Sequence, residues 1–118
     1  MSREVTVNHE AGIIELLSRE EVSREDIVES MEMVIRLSGE TGIERLLVDA
    51  SELDSLPSVV DMFEVTTGFP RSMKIAVLVP ARNDLKEKLQ FGETVGVNCG
   101  IPIHLYGSKS EAIDWLKC

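Results

Sequence analysis

Histidine and cysteine are the side chains best suited to acid–base and nucleophilic chemistry near neutral pH, and this chain of 118 residues has two of each. His9 falls at a turn-like stretch and His104 in a late alternating segment. Neither has a carboxylate or cysteine at a diagnostic spacing, so each reads as a surface or half-buried structural histidine. Cys99 and His104 flank one turn and could form a dyad. Cys99, however, falls at a helix C-terminus, where the dipole opposes a thiolate. Two cysteines allow neither a zinc-ligand spacing nor a disulfide framework. Phosphate chemistry lacks its cradle: no G-x-G-x-x-G or G-x-x-x-x-G-K-[ST] follows a strand-like run. No G-x-S-x-G elbow is present for a hydrolase nucleophile. The residues therefore predict a protein that is not an enzyme and takes no cofactor or metal.

One segment carries more than this background. Residues 49–60 join an apolar run to a helix start, and open α/β sheets place ligands outside the carboxyl ends of their strands. Asp54, Ser55 and Ser58 lie there, and Met62 and Phe63 follow on the helix. Ser55 and Ser58 fall at the cap or first turn, where backbone N–H groups and the helix dipole favour an anion. A phosphoserine there would add about 1.5–2 negative charges held by those donors. Ordinary helix capping is the simpler use of the same serines. The five residues Asp54, Ser55, Ser58, Met62 and Phe63 form the candidate regulatory or partner-binding loop.

Charge narrows the partners. Twelve basic residues stand against 21 acidic ones, for a formal net charge of −9. Nucleic acid and anionic membrane surfaces are both disfavoured, because binding to either rests on Lys and Arg. Glu20, Glu21, Glu25, Asp26, Glu29 and Glu32 read as a solvated helix face. The mid-chain apolar run Ile75, Ala76, Val77, Leu78 and Val79 is too short to span a bilayer. With no apolar leader near Met1, the cytoplasm is the expected location.

The elements that must position these residues follow from hydrophobic period and punctuation. Val5 and Val7 alternate with Thr6 and Asn8, and Glu10, Ala11 and Gly12 signal a turn before a second strand from Ile13 to Leu17. Ser23, with Asp26 three residues on, opens a helix whose apolar stripe is Ile27, Met31, Val34, Ile35 and Ser38. Gly39 and Gly42 end it. Arg45, Leu46, Leu47, Val48 and Asp49 read as a strand covered on both faces. A second helix is expected from about 55–58 to Thr66, a strand over 73–79, and a third helix capped by Asn83 or Asp84. Gly92 and Gly96 on that helix predict close backbone packing. Gly100 supplies its left-handed stop. Pro102 places the last strand at an edge or makes it begin late, and Ser108 with Glu111 caps a closing helix carrying Ala112, Ile113, Trp115 and Leu116. The order β-β-α-β-α-β-α-β-α predicts one α/β domain over 1–118, with a mostly parallel five-stranded sheet. Its first strand is antiparallel and its helices pack on the sheet.

The whole pattern resembles the STAS superfamily of sulphate-transporter and anti-sigma-factor-antagonist domains, and in particular its small, divergent bacterial members of unassigned function. The resemblance rests on the opening hairpin, on Arg45, Leu46, Leu47, Val48 and Asp49, on 74–79, and on the tail over 91–100 leading to 111–116. It implies a non-enzymatic regulatory or protein-interaction module. Classical antagonists of that family carry an Asp-Ser-Ser-Gly-like motif in the corresponding loop, with one phosphorylated serine. Ser58 falls at that place, but Pro57 replaces the acid and Val60 the small residue. The expected partner is a protein of unspecified identity, or a second copy of the chain through the apolar bulk of Val59, Met62, Phe63 and Phe69. The alternative is a small-molecule or lipid-binding domain with an apolar pocket between helices and sheet, flanked by Met31, Met33 and Phe91.

Overall fold

The computed structural model describes residues 2–118. Five strands form one sheet in the spatial order β1-β2-β3-β4-β5. They are β1 (Ser2–Asn8), β2 (Ile13–Glu21), β3 (Arg45–Ser55), β4 (Lys74–Leu78) and β5 (Ile103–Tyr106). The helices are α1 (Arg24–Thr41), α2 (Val59–Thr67), α3 (Asn83–Asn98) and α4 (Lys109–Lys117). β1 runs antiparallel to β2, and β2 through β5 run parallel. The tight β1–β2 turn is closed by Gly12, at φ 69°, whose N–H donates to the Asn8 carbonyl at 2.9 Å.

Strand order without reversal has a consequence for the helices. Right-handed crossovers that always step the same way place every crossover helix on the same side of the sheet. Here α1, α2 and α3 cover one face, and α4, which follows the last strand, returns across the other. The strands alternate accordingly. Ile14, Leu16, Leu46, Ile75, Val77 and Ile103 face the three-helix layer. Ile13, Leu47, Ala76 and Leu78 meet Ala112 and Leu116 of α4.

The caps form as the local sequence dictates. Ser23 Oγ accepts the Asp26 N–H, and the Asp26 carboxylate accepts the Ser23 N–H, completing a capping box. The Ser23 backbone N–H first, and the neighbouring Ser23 hydroxyl second, hold the Asp26 carboxyl below the usual aspartate range. Gly42, at φ 75°, stops α1 with its N–H on the Ser38 carbonyl. Gly39 lies inside the helix, and Ile35 faces out rather than in.

Two elements differ from expectation. β3 continues beyond Asp49 to Ser55 because β2 itself runs on to Glu21 and pairs with it, through two register shifts. Glu20 takes a left-handed φ of 65° between them. Ser55 therefore ends a strand and does not cap a helix. α3 is preceded by Arg82, and no side chain caps it. Arg82 is instead engaged bidentately by Asp84, and its Nη1 donates to the Asp54 carbonyl at 2.8 Å. The guanidinium holds the Asp84 carboxyl below its ordinary range.

Candidate functional site

The three-helix layer does not close fully on the sheet. A cavity of about 110 Å³ lies between them, walled by Leu16 of β2, Val48 and Leu53 of β3, Val77 of β4 and Leu105 of β5, with Met31, Met62 and Phe69 on the helix side. Val48 marks it well. It sits on the middle strand, with β2 and β4 on either side, and points at the helices, yet it keeps partial exposure. Its side chain is part of the cavity wall. Unlike an open sheet whose strand order reverses, this one has no crevice at a topological switch point. The space left for a ligand is between layers.

Three hydroxyls interrupt the apolar wall. Thr66 Oγ1 donates to the Met62 carbonyl at 2.7 Å, and Ser30 Oγ donates to the Asp26 carbonyl at 2.9 Å. Both are thereby satisfied within their own helices. Ser18 is different: it is 7 % exposed, lines the cavity, and its hydroxyl has no hydrogen-bond partner among the described residues.

The structure separates the five residues of the predicted loop. Asp54 is exposed, and its carbonyl is held by Arg82. Ser55 pairs with Glu21 at the end of β3. Ser58 is the N-cap of α2, its Oγ accepting the Asp61 N–H at 3.2 Å. Met62 is buried and lines the cavity, whereas Phe63, the next residue, is 48 % exposed on the opposite side of α2. The loop is fixed from α3, because Lys88 Nζ reaches the Leu56 carbonyl at 3.3 Å. Met31 lines the cavity as expected. Met33 and Phe91 do not, and Phe91 is exposed. Leu16, Ser18, Val48 and Leu105 escaped sequence reading because an inward strand residue looks the same whether it meets a neighbour or a void.

Cys99 and His104 lie on opposite faces of the sheet. Cys99 packs into the three-helix core, whereas His104 stands edge-on to Trp115 of α4 at 4.9 Å between ring centroids. His104 Nδ1 lies 3.4 Å from Glu93, which also accepts the outward Leu105 N–H of edge strand β5 at 2.9 Å. That carboxylate occupies a donor that could otherwise recruit another strand. Lys74 Nζ stacks 4.4 Å from the Trp115 ring centroid and donates to the Trp115 carbonyl at the end of α4. Burial first, then the acidic groups of Cys118, Glu93 and Glu111, push the Tyr106 phenol above its ordinary value. These contacts bind α4 to the sheet edge. Among the described residues no three His, Cys, Asp or Glu side chains converge as a metal site, and no helix is long and apolar enough to cross a membrane.

No protein-family model matches the chain, and no curated protein matches it significantly. Among solved structures it is similar to an uncharacterized protein of the DUF3478 family, with a SpoIIAA-like fold, from Shewanella loihica PV-4. The two share 22% identity over 98% of this chain and 92% of that one, with a TM-score of 0.57. Likeness at that identity speaks for architecture alone. The chain has the SpoIIAA-like α/β fold, which is the STAS-type architecture its sequence pattern resembles.

Proposed function

We propose that this protein is a non-catalytic binding module that takes a small apolar molecule between its sheet and its three-helix layer. The cavity carries the reading. Native interiors leave few voids larger than a water molecule. At ~24 cal/mol per Å³, an empty void of 110 Å³ costs about 3 kcal/mol of stability. That is a large fraction of a small domain's net stability, and a resident ligand removes the cost. Apolar cavities of comparable size are known to stay dry and to admit benzene. Titration with benzene, followed by methyl NMR, tests the proposal. Saturable shifts at Val48, Val77 and Leu105 are expected, and no shift at benzene saturation would reject it.

A specific observation also favours a protein-interaction role. Every large hydrophobic side chain that is exposed among the described residues lies on the three-helix layer: Ile35, Val59, Val60, Phe63, Phe91 and Val97. Val60 is 67 % exposed, and Val59 and Phe63 stand one helical turn apart. Ser58, capping α2 beside them, links this surface to the predicted loop. Comparative capture from a native lysate with wild type and Phe63→Glu reads the contact. A protein retained by the first and lost by the second supports it. Identical recoveries from the two count against it.

A further inference from the structure

The cavity is apolar along most of its wall and polar at one end. That end lies where β1 and β2 pass beneath the N-terminal half of α1. Ser18 lies there, nine-tenths buried and with a hydroxyl that has no partner among the described residues. Its cross-strand neighbour on β1 is Arg3. The Arg3 guanidinium turns toward α1, where Nη1 donates to Ser30 Oγ at 3.0 Å and lies 3.5 Å from the Asp26 carbonyl. Ser30 also lines the cavity.

Arg3 is a half-buried cation with little to neutralise it. Its side chain is 22 % exposed, and its nearest carboxylate, Glu29, is 3.9 Å away on a side chain that is itself 65 % exposed. An ion pair so long and so wet contributes little. A guanidinium offers five N–H donors in a planar fork, and the described protein groups here occupy only part of that set. A carboxylate is the group whose geometry matches the remainder.

We infer that the ligand of this cavity is an apolar carboxylate. Its head accepts hydrogen bonds from Ser18 Oγ and the Arg3 guanidinium, and its tail lies along Leu16, Val48, Val77 and Leu105. The inference rests on the cavity reading above and adds the chemical class. By comparison with a ~150 Å³ cavity that holds benzene, the tail is roughly four to six carbons long. Against the chain's net charge of −9, Arg3 supplies the local positive charge that an anionic head needs.

Hexanoate, 1-hexanol and hexylamine are the probes, titrated by methyl NMR into wild type, Arg3→Gln and Ser18→Ala. Wild type is expected to bind hexanoate at least tenfold more tightly than 1-hexanol, and hexylamine more weakly still. Arg3→Gln should weaken hexanoate at least tenfold and leave 1-hexanol within about twofold, which also shows that the cavity is intact. Ser18→Ala should weaken hexanoate at least tenfold, the worth of one hydrogen bond to a charged group. If 1-hexanol binds as tightly as hexanoate, or Arg3→Gln leaves hexanoate unchanged, the head-group assignment falls while the cavity reading stands. If none of the probes binds, both fall.

Discussion

Val48→Phe is expected to abolish benzene binding and to raise stability by about 1 kcal/mol, by returning part of the void's cost. The position is chosen by geometry. Val48 lies on the middle strand, lines the cavity and keeps partial exposure, so a phenyl ring there is directed toward the unfilled space. Overpacking a filled core ordinarily costs about 1–3 kcal/mol, which makes the sign of the effect diagnostic. A chain of this size should respond with an increase in Tm of roughly 3–6 °C. Calorimetry reads the stability, and the benzene titration repeated on the variant reads the occupancy. Undiminished benzene shifts in Val48→Phe would place the binding site elsewhere. A fall in Tm would show that Val48 does not face free space.

The two glycines of α3 should behave oppositely on substitution by alanine. Both sit four residues apart on the buried face of the helix, and helix propensity alone favours Ala over Gly by about 1 kcal/mol at each. A Cβ on Gly96 would fall well inside contact distance of Ile103 Cγ2, with Thr66 Cγ2 at 3.4 Å on its other side. Ile103 is β-branched, buried, and fixed in β5, so it cannot turn aside without a rotamer penalty. Gly96→Ala is therefore expected to destabilise by about 1–3 kcal/mol net. A Cβ on Gly92 would meet Thr66 Oγ1 at 3.5 Å and Met62 Cε at 3.8 Å, which are ordinary contacts. Gly92→Ala is expected to stabilise by about 0.5–1 kcal/mol. Urea midpoints at constant m separate the two cases. Equal effects in the two variants would contradict this packing.

The glycine pair also shows how far the sequence reaches. The spacing of Gly92 and Gly96 predicts close backbone packing on α3, and that is correct. It does not say that Gly96 is pressed against β5 as well as α2 while Gly92 meets α2, because the partners come from elements that are distant in the chain. The same division runs through the candidate loop. Ser58 is legible as a cap because a side-chain oxygen and an N–H three residues on are local partners. That Met62 enters a cavity while Phe63 faces solvent depends on where α2 lies over the sheet.

What the sequence by itself determined was the element order, the antiparallel first strand, the caps at Ser23, Ser58 and Ser108, and a last strand that begins only after Pro102. Each follows from hydrophobic period or from backbone hydrogen bonding within a few residues, so each is written locally. Tertiary structure alone decided that the strand order never reverses, which puts three helices on one face and removes the crevice of a reversed sheet. It alone decided the extension of β3 to Ser55, since a strand end is set by the neighbour that pairs with it. The cavity belongs to the same class. Its volume is what remains after side chains from seven elements have packed, and its polar end joins Ser18 of β2 and Ser30 of α1, with Arg3 behind Ser30. No residue type or spacing records a space that many distant residues together fail to fill.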